Sequence, residues 1–257
     1  MIRKILLSPA IRPFILILLL LVLWDLSIRF FKVPAYLIPP PGQVVDQLVA
    51  EWARLLKDSW KTTQATLGGF ALTIIIGIPL AMLIAYSKLI ESYVYPLLVF
   101  SQSIPKVAIA PLFVVWFGFG IVPKIISAFL LGFFPVVVST VMGFKSVEPD
   151  MLDLARSMGA SRLQTFFKIS LPQALPAIFS GLKVSITLAV VGAVVGEFVG
   201  SNSGIGYVLQ VATGNFDLPL MFAALVVLSS IGVILFMLVD LVERLMIPWH
   251  PSQNQIV

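Results

Sequence analysis

The 257-residue chain contains no cysteine, which excludes disulfides, thiolate metal sites and a cysteine nucleophile. Its single histidine, His250, stands in the C-terminal tail. No Ser-His-Asp set, metal-ligand cluster or pair of catalytic carboxylates can be assembled from the remaining residues, so the sequence does not read as an enzyme. No Gly-Lys dipeptide occurs anywhere, so the phosphate-cradling Gly-rich loop is absent and the chain supplies no ATP site of its own. Charge is scarce as well: 11% of residues are charged, against roughly a quarter in a soluble domain. The basic residues behind the net charge of +5 are scattered and form no dense stripe, which argues against nucleic acid as a partner.

Apolar length is what the sequence has instead. With 59% hydrophobic residues, a water-soluble fold could not cover its surface, whereas a bilayer accepts Leu, Ile, Val and Phe on the outside of a helix. Apolar runs near the ~20 residues needed to span a membrane predict an all-α integral membrane protein of about six helices. They fall near residues 13–31, 63–86, 93–117, 121–144, 174–199 and 218–242. Ile5 to Leu23, after Arg3 and Lys4, resembles a secretory signal, but the run continues into Trp24-Asp25-Leu26-Ser27 without a small-residue cleavage pattern, and it reads as an uncleaved first span. In the third, Pro105 and Pro111 remove backbone donors, and the freed carbonyls must find partners in protein or a wet cavity.

The loop between the fourth and fifth predicted helices carries Lys145, Arg156, Arg162 and Lys168, while the loop between the fifth and sixth carries no Lys or Arg. The positive-inside bias places the former in the cytoplasm and, by parity, both termini with it. Lys32, Arg54, Lys57 and Lys61 run against that bias, in a segment that reads as folded. There Val44, Val45, Leu48, Val49, Trp52, Leu55 and Leu56 recur at helical spacing after Pro39-Pro40-Pro41-Gly42, which predicts an amphipathic helix along the outer membrane face. Residues 1–62 thus read as an added span plus surface helix, 63–247 as a compact bundle with a loop at 145–172, and 248–257 as a cytoplasmic tail.

That loop carries the most information. Pro149 suits a first helical turn, Asp150 and Asp153 favour its amide end, and Gly159 suits the left-handed residue that ends it. Ser161 and Gln164 then form a capping-box pattern for a second short helix, which Leu171-Pro172 closes. Met151, Leu154, Ala155 and Met158 fall on one face of the first helix. Either this patch packs beneath the protein's own spans, or a partner covers it.

The loop resembles the signature of permeases from ATP-binding-cassette importers, an acidic-Ala-Ala triplet followed by a Gly and a distal Ile-x-Leu-Pro. Here it reads Asp153-Leu154-Ala155, Gly159 and Ile169-Ser170-Leu171-Pro172, with Asp for the usual Glu and Leu for the first Ala. Pro39-Pro40-Pro41, Ile104-Pro105, Pro111-Leu112, Trp116-Phe117-Gly118, Gly196-Glu197 and Ser203-Gly204-Ile205-Gly206-Tyr207 are similar to the nitrate, sulfonate, taurine and pyrimidine-precursor branch. The resemblance implies a type I importer permease fold in a bacterial inner membrane and a permease homodimer. It also implies two ATPase subunits holding ATP and Mg, and an external solute-binding protein. It makes the loop a coupling helix whose contact residues are Asp153, Leu154, Ala155, Arg156, Met158, Gly159, Ala160, Ile169, Leu171 and Pro172. Related permeases often carry Arg where Gln102 stands, so Gln102 argues against an obligate anion and favours a neutral or aromatic organic cargo, with nitrate, sulfonates, thiamine-type pyrimidines, riboflavin and aromatic acids all left open. The competing reading is an ion-coupled carrier or channel, which would need buried ionisable chains or broken helices in matching halves; neither is evident in the sequence.

Candidates for the pathway are Gln102, Ser103, Pro105, Trp116 and Glu197. Gln102 and Ser103 either touch solute or glue helices together. Glu197 is either functional within the membrane or hydrated and structural at its outer interface. Lys183 is expected to snorkel to the cytoplasm, and Asp25–Arg29 and Asp240–Arg244 to pair along their helices. Gly192, Gly196 and Gly200 line one helix face, as a dimer seam or as packing within one subunit.

Overall fold

The computed structural model describes residues 12–34 and 37–249, so Arg3, Lys4 and His250 lie outside the described residues. Helices and their connections account for the described residues. In chain order they are α1 (Arg12–Phe31), α2 (Pro41–Ala50), α3 (Trp52–Tyr86), α4 (Lys88–Gln102) and α5 (Lys106–Phe117). They continue as α6 (Ile121–Lys145), α7 (Pro149–Ser157), α8 (Arg162–Gly200), α9 (Ile205–Gly214) and α10 (Leu218–Met246). Four of these, α3, α6, α8 and α10, are long and apolar enough to cross a membrane, and up to five if α4 and α5 form one bent span. The expected count of about six is not reached on that measure; α1 adds an apolar helix of 20 residues.

The predicted surface helix is divided. Glu51 leaves helical geometry (φ −98°, ψ 14°) and separates α2 from α3. The pattern from Trp52 to Leu56 therefore belongs to the first turns of a 35-residue helix, which at ~1.5 Å per residue far exceeds a hydrocarbon core of ~30 Å. That helix runs unbroken through residues 62 and 63, where the sequence divided an added segment from the bundle.

Two stretches of π-helix interrupt the long helices, Thr73–Gly77 in α3 and Phe166–Ser170 in α8. Each ends two residues before a proline, Pro79 or Pro172. A proline clashes with the carbonyl four residues back and donates no hydrogen bond, and one extra residue in the turn relieves both problems. Leu171-Pro172 consequently does not close the second short helix as predicted; the chain passes straight through it into the span.

The predicted third span is not one helix. α4 and α5 are bent by 96° around Ser103–Pro105, where Pro105 caps α5 in extended geometry. At 15 and 12 residues, neither half reaches the ~20 needed to span alone.

The core is α3, α6 and α8, packed through small side chains. α6 and α8 run antiparallel in contact along their length, with Gly143 against Ala174 at one end and Gly196 against Lys124 at the other. A Cβ on Gly192 would stand 2.5 Å from the Ser127 carbonyl oxygen and 2.6 Å from Ala128 Cα. Gly192 and Gly196 therefore serve packing within the subunit, and Gly200 meets Val114 of α5. Ala65, Ala128, Ala189 and Ala193 fill the space where the three core helices meet. α2, α9 and α10 close a second core with Val44, Ile205, Leu209 and Leu220. α1 joins the body through Trp24, whose ring lies 5.6 Å from that of Phe222, and leaves Leu16 to Leu23 exposed.

Candidate functional site

Two constructions occupy opposite ends of the core: a connector between α6 and α8, and a buried polar cluster where α8 meets α9.

In the connector, local sequence dictates the backbone. Pro149 starts α7, Asp150 lies in its first turn and Arg156 in its last. Gly159 is left-handed (φ +79°). Its N–H donates to the Arg156 carbonyl at 3.0 Å, and that of Ala160 to the Ala155 carbonyl at 3.0 Å, the paired bonds of a Schellman turn. The Ser161 N–H donates to Gln164 Oε1 at 2.8 Å and the Gln164 N–H to Ser161 Oγ at 3.3 Å, which completes the capping box read from sequence. Asp153 and Arg156 pair across one helical turn at 3.0 Å.

The apolar face divides in two. Ala155 is buried, whereas Leu154 is 61% and Met158 79% exposed. Leu163, Phe167 and Met151 are exposed as well. Ala155 is thus covered within the protein, while the outward half of the face is left uncovered. Ala160, Ile169, Leu171 and Pro172 are half-buried along the return into α8. Phe166, which the sequence did not single out, fastens this unit to the spans. Its ring stacks on Phe144 of α6 at 5.9 Å and lies 6.3 Å from Tyr86 of α3. Beside them, a cleft of about 600 Å³ opens between Met82 and Tyr86 on one side and Leu152 and Arg156 on the other. Lys145 pairs with Glu91, tying the end of α6 to the start of α4.

At the far end Glu197 has no exposed surface, so the reading of a hydrated interfacial carboxylate is incorrect. Thr62 Oγ1 of α3 lies 3.0 Å from each carboxylate oxygen, and the Gly206 N–H donates to Oε2 at 2.8 Å. Lys124 Nζ of α6 stands 3.6 Å from Oε1 and donates to the Ser203 carbonyl at 2.8 Å. The Gly204 N–H donates to Asp58 Oδ1 and the Ile205 N–H to Thr62 Oγ1, both at 2.8 Å. Sequence reasoning missed Asp58, Thr62 and Lys124. The available signal was that Lys124 is the only charge of its predicted span and Glu197 the only carboxylate of the next, antiparallel one, near the same end.

The other pathway candidates do not join Glu197. Gln102, Ser103 and Pro105 come together, exposed, at the α4–α5 bend, and Trp116 lies exposed farther along α5 with its ring 6.2 Å from that of Phe113. Lys183 pairs with Asp240 and Glu243 of α10. The i,i+4 pairs Asp25–Arg29 and Asp240–Arg244 form at 2.7 and 2.8 Å. The buried pair and the bent helix are features the sequence had not shown, but among the described residues only one bent pair occurs, with no counterpart in a matching half.

Residues 73–248 match the family described as binding-protein-dependent transport system inner membrane component. The chain is 38% identical over 245 residues to the formylaminopyrimidine transport permease protein ThiX of Halalkalibacterium halodurans, covering 95% of this chain and 98% of that one. It is 37% identical over 249 residues to the riboflavin transport system permease protein RibX of Chloroflexus aurantiacus (95% and 92%). Over 239 residues it is 30% identical to the taurine transport system permease protein TauC of Escherichia coli (90% and 86%). Its fold is similar to a chain of the MetNI methionine transporter in inward-facing conformations, at a TM-score of 0.65 and 21% identity, covering 76% of this chain and 97% of that one. The chain belongs to the family of inner-membrane permease components of binding-protein-dependent ATP-binding-cassette importers.

Proposed function

We propose that this permease works as a pair, driven through α7 by two cytoplasmic ATPase subunits that hold ATP and Mg, with cargo delivered from outside by a solute-binding protein. The observation that carries the reading is the exposed apolar face of Leu154 and Met158 on a connector otherwise fastened to the core. A solvated loop has no use for such a face; a groove in an ATPase does. Ala155, Gly159 and Ala160 keep the contact close, Asp153 and Arg156 set its register, and Ile169, Leu171 and Pro172 carry displacement into α8. Stiff elements with discrete arrangements are what such transmission needs. In this arrangement the connector and both termini face the cytoplasm, and the buried cluster faces outward.

We further propose a small neutral or aromatic organic cargo. The names of the relatives that match over 95% of this chain refer to formylaminopyrimidine and riboflavin, and the α4–α5 bend presents the neutral Gln102 and Ser103. Gln102, Ser103, Pro105 and Trp116 are the proposed pathway residues; Glu197 is not among them, because it is enclosed. Co-purification with the ATPase, followed by ATP hydrolysis with cargo-loaded binding protein, tests the assembly. Hydrolysis that rises with loaded binding protein supports it, and a permease that carries no ATPase overturns it. A thermal-shift screen of the cognate binding protein tests the cargo class, and stabilisation by sulfonates alone would overturn that part.

A further inference from the structure

We infer that Glu197 and Lys124 are positioning residues that weld α9 to the far ends of α3, α6 and α8, so that these four helices move as one rigid body through the transport cycle. The inference rests on the importer reading above for the existence of that cycle, but its geometry stands alone.

The first N–H groups of a helix have no partner within it, and a local side chain usually accepts from one of them. α9 begins at Gly204, which has no side chain to offer. Other helices accept instead: Asp58 and Thr62 of α3 take the Gly204 and Ile205 N–H groups, and Glu197 of α8 takes that of Gly206. Negative charge at a helix N-terminus is also favoured by its dipole. Lys124 brings in α6 through the Ser203 carbonyl and the Glu197 carboxylate. Each core helix thus contributes a side chain to the same short turn.

The shape of the turn is fitted to the carboxylate. Gly204 has φ +105°, and a Cβ there would stand 2.0 Å from Glu197 Oε1. A Cβ on Gly206 would stand 2.8 Å from Glu197 Cβ. The Ser203-Gly204-Ile205-Gly206 motif is glycine-rich because the acid occupies the volume that side chains would need.

Burial decides between a fixed joint and a gate. A gate must open to water, and its charges must be able to regain solvent as it does. Here the Glu197 side chain is 0% and the Lys124 side chain 5% exposed. Separating them without admitting water leaves an uncompensated buried charge, the least favourable way to break such a pair. The joint therefore stays closed while the body around it moves.

The chain has no native cysteine, so spin labels at Gln210→Cys on α9 and Ile121→Cys on α6 report one distance. Labelled permease is diluted into unlabelled copies, assembled with its ATPase and binding protein in nanodiscs, and measured by electron–electron resonance with and without trapped nucleotide. One narrow distribution in both states is expected; a shift or a second population under trapped nucleotide overturns the joint. Glu197→Gln alone leaves Lys124 buried and unpaired and is prone to misfold, so the test variant is Lys124→Met/Glu197→Gln. It is expected to broaden the distribution and to lower binding-protein-stimulated hydrolysis ~5-fold or more, leaving basal hydrolysis unchanged. A narrow distribution with full stimulation in that variant also overturns the inference. Wild-type complex without any stimulation overturns the importer reading instead, which separates the two failures.

Discussion

Phe166 stacks on Phe144 at 5.9 Å with the ring planes 16° apart, so the segment leaving the connector is clamped to the end of the helix that enters it. Tyr86 of α3 completes the clamp, with its ring 5.7 Å from Phe144 and 6.3 Å from Phe166. In the proposed mechanism, a push on α7 would reach two spans besides α8 through these rings.

Removing the clamp should uncouple the two activities. Aromatic pairs contribute ~1 kcal/mol each beyond area burial. Phe166→Ala is therefore expected to lose roughly 2 kcal/mol from its pairs with Phe144 and Tyr86, on top of the area it buries, while leaving Leu154 and Met158 free to dock. ATPase binding should persist, and cargo uptake per ATP hydrolysed should fall in reconstituted vesicles. Unchanged uptake per ATP would show that motion travels through α8 alone.

The exposed face makes a cleaner prediction. A surface change away from packing usually stays within ~0.5 kcal/mol, so Met158→Glu should insert and melt like wild type. If Met158 sits in an ATPase groove, the same change buries a carboxylate there, and co-purified ATPase should drop sharply. Full retention of ATPase by Met158→Glu would remove α7 from the docking surface.

Gly159 separates backbone from contact. Its left-handed geometry disfavours any side chain by ~1–2 kcal/mol, although a Cβ there meets nothing within 4 Å. Gly159→Ala should cost about that much stability and retain partial coupling. Gly159→Glu carries the same backbone penalty plus a bulky charge, so the difference between the two variants in ATPase stimulation measures the contact itself. Equal effects would mean that only the turn matters.

The connector was legible because its signals are local. Gly159 ends a helix and Ser161 with Gln164 starts one by hydrogen bonds spanning a few residues, and such chemistry depends little on the rest of the fold. Errors arose where a local signal had two outcomes. Leu171-Pro172 looks like a stop, but the π-turn before it lets the proline sit at the start of a resumed helix. Residues 93–117 look like one span because hydropathy reads composition and is blind to a change of direction at Ser103–Pro105. Beyond the opposite charges of Lys124 and Glu197, the cluster around Glu197 was out of reach for another reason. Its partners come from α3, α6 and the α8–α9 turn, and their convergence is a property of helix packing that no short window contains.

Gly192 offers the test that distinguishes packing within a subunit from a seam between subunits. Its missing Cβ is where α6 backbone passes, 2.5 Å from the Ser127 carbonyl oxygen, and backbone cannot rotate aside as a side chain can. Gly192→Ala must therefore push α6 and α8 apart, disturbing Ala128, Ala189 and Ala193 around it. Overpacking of this kind costs ~1–3 kcal/mol. The variant is expected to melt earlier in detergent at unchanged oligomeric state. If the stripe were instead a seam, Gly192→Ala would dissociate the permease pair with the protomer's own melting intact, and light scattering combined with thermal unfolding tells these outcomes apart.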